Sequence, residues 1–208
     1  AEEDVVCTPF ALDRYSEILC QEELALLKQV EEDILSMYPP RDDEWIKKYL
    51  DQFFWGKLPL SKLGAIITEV KPVGGKRKVK ALKDFVQRYN QPLSGFVVVG
   101  DSITDRNMLD AVNREGGLAI AFNANEYALP YSTMALASTH LSDLSIALDA
   151  WEKGGRESVI KIVKEREKAG GSGNREYFWL AGETDLSEVI EIHRRIRRLV
   201  RKRAAKLG

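Results

Sequence analysis

Cysteine is scarce in this chain of 208 residues: there are two, Cys7 and Cys20, and neither belongs to a C-x-x-C motif. They form no disulfide framework and read as ordinary thiols of a reducing cytoplasm. Long apolar runs are also missing. None approaches the ~20 residues that a membrane-spanning helix needs, and the opening residues carry no signal-peptide pattern, so the expected compartment is the cytoplasm. Charge of one sign is not in excess either. The formal net charge of −1 gives no bulk attraction to nucleic acid or to an anionic membrane, and neither is an expected partner. What remains is a globular composition, 44% hydrophobic and 30% charged, with length for one domain and an elaboration.

The informative residues are concentrated in Gly95-Phe-Val-Val-Val-Gly-Asp-Ser-Ile-Thr-Asp-Arg-Asn-Met-Leu109. Residues 96–99 have the length and β-branched content of a strand buried on both faces. Gly100 breaks the run, and Met108, Leu109 and Val112 begin a helical face. A strand that turns tightly into a helix puts Asp101 at the carboxyl edge of a parallel sheet, where open α/β sheets bind ligands. Asp105 falls near the helix start, so both carboxylates can converge on one hard cation, such as magnesium with its oxygen ligands. The plainer alternative is that Asp101, Thr104 and Asp105 only cap a helix.

Upstream, residues 5–10 read as a short strand ended by Pro9. Leu24, Leu27, Val30 and Ile34 recur at helical intervals between Ser16 and Met37, and Pro39-Pro40 stops that helix. A second helix carries Trp45, Ile46, Tyr49, Leu50 and Phe53, and its aromatic stripe reads as core. A third, from about Pro59, carries Leu60, Leu63, Ile66 and Ile67. After the loop Lys71-Pro-Val-Gly-Gly75 comes a helix with Val79, Leu82, Phe85 and Val86 on one face. Beyond the central stretch, residues 118–122 form a second buried strand and residues 134–137 a third, which predicts parallel α/β. Residues 142–151 and 157–168 read as helices, and 169–174 as a flexible loop. Asp185 with Glu188 forms a capping box for a last helix, rich in arginine from His193 to Arg203. Its cations either dock RNA or an acidic partner or form a solvated face near a helix C-terminus. Without interleaved aromatics for base stacking, the solvated face is the simpler reading.

Gly100-Asp-Ser-Ile-Thr-Asp105 resembles the nucleophile block of the GDSL/SGNH esterases, which implies Ser102 attacking an acyl carbonyl with a histidine as base. That likeness ends at the block. The family closes with Asp-x-x-His, whereas neither His140 nor His193 follows an aspartate by three positions. The same letters resemble motif IV of the haloacid dehalogenase (HAD) superfamily, Gly-Asp-x-x-x-Asp, and here the surroundings agree. Gly117-Leu-Ala-Ile-Ala-Phe-Asn123 is similar to the strand after motif IV in phosphoserine phosphatases of that superfamily. Lys78-x-x-Ala81-Leu82 lies where the superfamily opens a helix with its motif III lysine. Val70 to Leu129, together with Cys7-Thr8, Leu12-Asp13 and Pro72-Val-Gly-Gly75, resembles an archaeal family of predicted phosphatases, described in some methanogens as a hydrogenase-associated subunit.

The HAD resemblance implies an α/β fold, a Rossmannoid parallel sheet flanked by helices, with a helical cap-like insertion and a C-terminal helical extension. Residues 1–10 and 71–152 would form the core, 11–70 the insertion and 153–208 the extension. It implies magnesium-dependent hydrolysis of a small phosphomonoester through an aspartyl phosphate, catalysed with Lys78, Asp101 and Asp105. In that scheme Asp101 binds the magnesium ion directly, and Asp105 binds it or orients its water shell. Lys78 neutralises the nucleophile and the transferring phosphoryl group. Ser102 and Thr104 shape the loop, and Asn123 stands at the next strand end, where turn chemistry is the alternative. The superfamily's nucleophile motif, Asp-x-Asp-x-Thr, is absent from these residues, and motif II has no match. The expectation is therefore a strand at 96–99 with an unpaired edge, and an N-terminal segment or partner chain that supplies the nucleophile. A non-catalytic HAD-like subunit that docks a partner through the basic helix is the remaining alternative.

Overall fold

The structure, a computed structural model, describes residues 4–9, 20–37, 43–168, 176–182 and 185–205. The chain divides into two compact units, residues 1–73 and 74–208.

In the first unit, the apolar spacing produces α1 (Gln21–Ser36), α2 (Asp43–Gln52) and α3 (Lys62–Glu69). A π-helical turn at Phe53–Lys57 and a 3-10 turn at Leu58–Leu60 join the last two. The core is small: Val30, Phe53 and Leu58 are buried, with Leu26, Ile34, Tyr49 and Leu63 against them. Glu23 is buried for a reason. Its carboxylate accepts from the Lys62 and Leu63 amides at 2.9 and 3.4 Å, donors that a helix start leaves without intrahelical partners. Two expectations need correction here. Residues 5–9 form no strand, and Val5 and Val6 are exposed. Local β-branched content does not suffice without a neighbour to take up the backbone hydrogen bonds. The aromatic stripe is buried core at Phe53 and packs against it at Tyr49, while Trp45, stacked on Tyr49 at 5.8 Å, stays half exposed. The expected beginning of the first helix at Ser16 and the loop at 169–174 lie outside the described residues.

The second unit is a sheet between helices. β1 (Val97–Gly100), β2 (Leu118–Phe122), β3 (Met134–Ser138) and β4 (Glu176–Leu180) lie side by side in that order. The first three are parallel, with Val97 beside Leu118 and Ile120 beside Met134. β4 runs antiparallel to β3, Leu180 facing Met134. The sheet is thus mixed, and the C-terminal extension holds a strand as well as helix. Glu176-Tyr-Phe-Trp-Leu180 has the aromatic content that a half-buried pleated surface favours.

Alternate residues of the sheet feed two cores. Ala119, Ala121, Ala135 and Ala137 share one with Leu82 of α4 (Lys76–Tyr89), Leu109 and Val112 of α5 (Arg106–Arg114) and Val189 and Ile196 of α7 (Leu186–Ala204). Leu118, Ile120, Met134 and Leu136 share the other with Val159 and Val163 of α6 (Leu144–Lys168). Small side chains where three helices crowd the sheet, and large ones where one helix covers it, match the volumes available. The stretch α6 is broken at Gly154 and Gly155, the latter at φ +61°, so two helices are present, as the sequence suggests. The guanidinium of Arg156 then reaches the Asn113 and Gly117 carbonyls at 2.8 and 3.1 Å and serves the end of α5. β1 ends the sheet, and among the described residues no strand lies on its far side; Val99 is 40% exposed there. Among the described residues, no helix is long and apolar enough to cross a membrane.

Candidate active site at the carboxyl end of β1

β1 ends at Gly100, where nothing larger fits: a Cβ there would lie 2.4 Å from the Cβ of Asp105. The close approach lets residues 101–105 fold back on the strand, closed by the Asp105 amide on the Ser102 carbonyl at 2.9 Å. Asp105 precedes α5 but its side chain makes no capping bond to that helix. It turns inward instead. Oδ2 accepts from the Asp101 amide at 3.1 Å, the Ser102 amide at 3.1 Å and the Ser102 hydroxyl at 3.0 Å. Oδ1 accepts from Lys78 Nζ at 2.5 Å. Burial by itself would push the Asp105 carboxyl up. The hydrogen bonds from Lys78, the Asp101 amide and Ser102, with the Lys78 charge, outweigh it and hold the group below the ordinary carboxylate value. Substituting Gly100→Ala forces this contact apart and is expected to cost about 2 kcal/mol, as overpacking does. Chemical denaturation measures it, and an unchanged midpoint would show that the turn tolerates opening.

Lys78 reaches Asp105 from the first turn of α4. That helix starts after Gly75, whose φ of +53° and ψ of −122° are open to glycine and resisted by other residues. The Gly75 amide donates to the Thr104 carbonyl at 2.8 Å, and the Thr104 and Ser102 hydroxyls lie 2.9 Å apart. Helix start and aspartate turn are thereby tied together. Ser102 has no histidine beside it. His140 is bonded to Thr139, and His193 to the Ala124 amide.

Asp101 is placed differently. Its carbonyl accepts the Asn125 amide at 2.9 Å, which fastens the turn to the loop after β2. Its carboxylate faces outward, 53% exposed, and meets Arg197 of α7, with Nη2 2.8 Å from Oδ2. Nη1 also points at the Asp101 carbonyl, at 3.4 Å. Sequence reasoning did not find Arg197. It stands 96 positions away in a run of arginines, and no local signal separates it from its neighbours. Burial of Val189, His193 and Ile196 sets the face that α7 turns to the sheet. Of these, His193 is fully buried; its Nδ1 accepts the Ala124 amide at 2.8 Å, and its Nε2 has no partner. Desolvation lowers its pKa to about 4. Asn123 is not gathered into the turn. At φ +46°, its side chain spans to the Ser138 amide and carbonyl at 2.9 and 2.8 Å, clasping the ends of β2 and β3. Turn chemistry accounts for it.

Magnesium takes about six oxygen ligands in near-octahedral array, and the described residues do not fit it by themselves. They gather no group of three or more His, Cys, Asp or Glu side chains. Both Asp105 oxygens are engaged, and Asp101 already holds a guanidinium.

No family model matches the chain. Over 71 residues it is 37% identical to phosphoserine phosphatase SerB2 of Mycobacterium tuberculosis, a stretch covering 34% of this chain and 16% of that protein. Its structure is similar to that of gene product AF1437 from Archaeoglobus fulgidus, with a TM-score of 0.65 and 24% identity. That match covers 88% of this chain and 53% of the other. The chain therefore spans about half of the solved structure and a much smaller share of the curated relative. The chain thus has an α/β fold, a mixed four-stranded sheet flanked by helices, similar to that of the solved structure.

Proposed function

We propose that the turn after β1 is the phosphoryl-transfer site of a HAD-type phosphatase that hydrolyses a small phosphomonoester. The observation that carries this reading is the Lys78–Asp105 pair. Two residues 27 positions apart meet beneath an outward carboxylate at the sheet's carboxyl edge, in the register that motifs III and IV imply. The likeness to a phosphoserine phosphatase supports a phosphorylated small molecule as substrate. In this scheme an aspartate oxygen attacks phosphorus as the alkoxide leaves, and water then hydrolyses the acyl phosphate, releasing phosphate and returning the carboxylate. No Asp-x-Asp occurs in these 208 residues; we assign the attacking aspartate to an N-terminal continuation or a partner chain that pairs with the side of β1 on which no strand lies among the described residues. The Lys78 ammonium, oriented by Asp105, balances the charge on the phosphoryl oxygens. The resemblance implies magnesium, with Asp101 as its ligand, as the source of Lewis acidity; the described residues gather no such site by themselves. The helical first unit takes the cap role expected of residues 11–70. Kinship with the archaeal predicted phosphatases, and a hydrogenase-associated role, rest on the resemblance of residues 70–129.

The test is an intact-mass measurement on the protein as its cells hold it, with magnesium-dependent hydrolysis of an aryl phosphate. A longer polypeptide or a complex should release phosphate, and Asp101→Asn should lower turnover by about 10- to 100-fold, while Ser102→Ala retains most of it. An inert protein, or an Asp101→Asn variant with full turnover, would sink the reading. Loss with Ser102→Ala and no metal dependence would point to the esterase.

A further inference from the structure

β4 closes the sheet on the side away from β1, and we infer that its outer edge takes up an extended, basic segment of a partner protein as a further strand. This docking site is separate from the turn after β1 and does not depend on the phosphatase reading.

The backbone provides the opening. In an antiparallel pair, successive residues alternate between bonding to the neighbour and pointing away from it. The Ala181 amide donates to the Thr133 carbonyl at 3.3 Å, and in the same register Trp179 lies opposite Ala135 and Tyr177 opposite Ala137. Residues 177 and 179 therefore bond to β3, while the amides and carbonyls of Glu176, Phe178 and Leu180 point outward. Among the described residues no strand lies beyond β4 to receive them. Phe178 and Leu180 are nevertheless only 3% and 5% exposed, a setting in which backbone groups rarely go without partners.

The surroundings determine the charge of the occupant. A groove of about 580 Å³ opens at this edge, with Arg166 and Glu167 contributed by α6 and Glu188, Glu191 and Arg195 by α7. The two helices cover opposite faces of the sheet, so an added strand would present alternate side chains to each. Both arginines are engaged. Arg166 bonds Glu176 at 3.2 Å and lies over the Phe178 ring. Arg195 bonds the Tyr177 hydroxyl at 3.2 Å and lies over that ring. Glu188 and Glu191 are exposed and, among the described residues, hold no hydrogen bond or ion pair. The uncompensated charge on the α7 side is therefore negative. Charges beside an edge strand turn away apolar strands, whose docking would desolvate them. A strand with lysine or arginine on its α7 face neutralises them instead. The spacing agrees: alternate side chains of a strand recur about every 6.6 Å, and positions three apart on a helix stand about 5–6 Å from each other. Main-chain bonds to β4 would supply the affinity and the two glutamates the choice of side chain.

Acetyl-Val-Lys-Val-Lys-Val-amide titrated into the full chain, with amide exchange read by nuclear magnetic resonance, tests the pairing. At saturation the Phe178 and Leu180 amides should exchange about tenfold more slowly or slower still, while those of Tyr177 and Trp179, already bonded to β3, change less. The peptide with glutamate in place of both lysines should bind at least about tenfold more weakly. Glu188→Gln combined with Glu191→Gln should weaken the lysine peptide by about three- to tenfold. Glu115→Gln combined with Glu152→Gln removes equal charge outside the groove and should weaken it by less than about twofold. No slowing at Phe178 and Leu180 overturns the inference, as does equal weakening in the two double variants. Slow exchange of these amides in the protein alone overturns it as well. If that protection grows with protein concentration, a second copy is the occupant; if it does not, the chain covers its own edge.

Discussion

Replacing Asp105 with alanine is expected to destabilise the second unit by about 3 kcal/mol, the range for removing one partner of a buried pair. The side chain is almost wholly inaccessible, 6% exposed, and four donors converge on it. Its loss leaves the amides of residues 101 and 102 without an acceptor and strands the Lys78 ammonium, itself 30% exposed. Each orphaned donor carries a desolvation cost that a merely broken surface contact does not. Asp105→Asn should cost less, since the amide oxygen can still accept from the turn while its NH₂ opposes the Lys78 ammonium. Urea denaturation at pH 7 separates the two. A loss below about 1 kcal/mol in Asp105→Ala would show that water replaces the carboxylate, and the turn would then not depend on Asp105 for its shape.

Acidification is expected to remove about 3 kcal/mol between pH 6.5 and 4 through His193 alone. The folded protein holds this imidazole neutral, with a pKa lowered by burial from 6.5 to about 4, and the unfolded chain protonates at the ordinary value. The unfolded state therefore binds more protons throughout that window, so the contribution is intact above pH 6.5 and declines as pH falls to the folded value. Protonation also converts Nδ1 from an acceptor into a donor facing the Ala124 amide. Asp105 acts in a different window. Its carboxyl is held below 3.8 in the folded state, so its contribution is complete above that value and is lost as pH falls through the folded one. A His193→Met variant should be less stable at pH 7, because Ala124 loses its acceptor, yet nearly flat from pH 6.5 to 4. Parallel pH curves for variant and parent would assign the acid sensitivity elsewhere. Because Asn125, next to Ala124, holds the Asp101 carbonyl, the same titration should loosen the turn before the sheet unfolds. Hydrogen exchange at residues 123–125 would report that order.

Near Asp101 the local rules all agree, and that part of the chain was legible. A β-branched run, a glycine that ends it and an apolar face resuming at helical spacing produced β1, the turn and α5 nearly where expected. Lys78 was singled out by motif register, since no periodicity links it to a residue 27 positions on. β4 escaped notice because a run of five residues shows little alternation, and the strand exists by pairing with β3. Residues 5–9 are the converse, with strand-like composition and no strand. The amino-acid sequence by itself determined the α/β alternation, the aspartate turn and the glycine that permits it, because these depend on backbone sterics and on contacts a few residues apart. The tertiary structure alone decided that Asp105 looks inward while Asp101 looks out, and that Arg197 among many arginines meets it. Those outcomes follow from where α7 sits once Val189, His193 and Ile196 are buried, and such packing sums contacts between residues far apart in the chain.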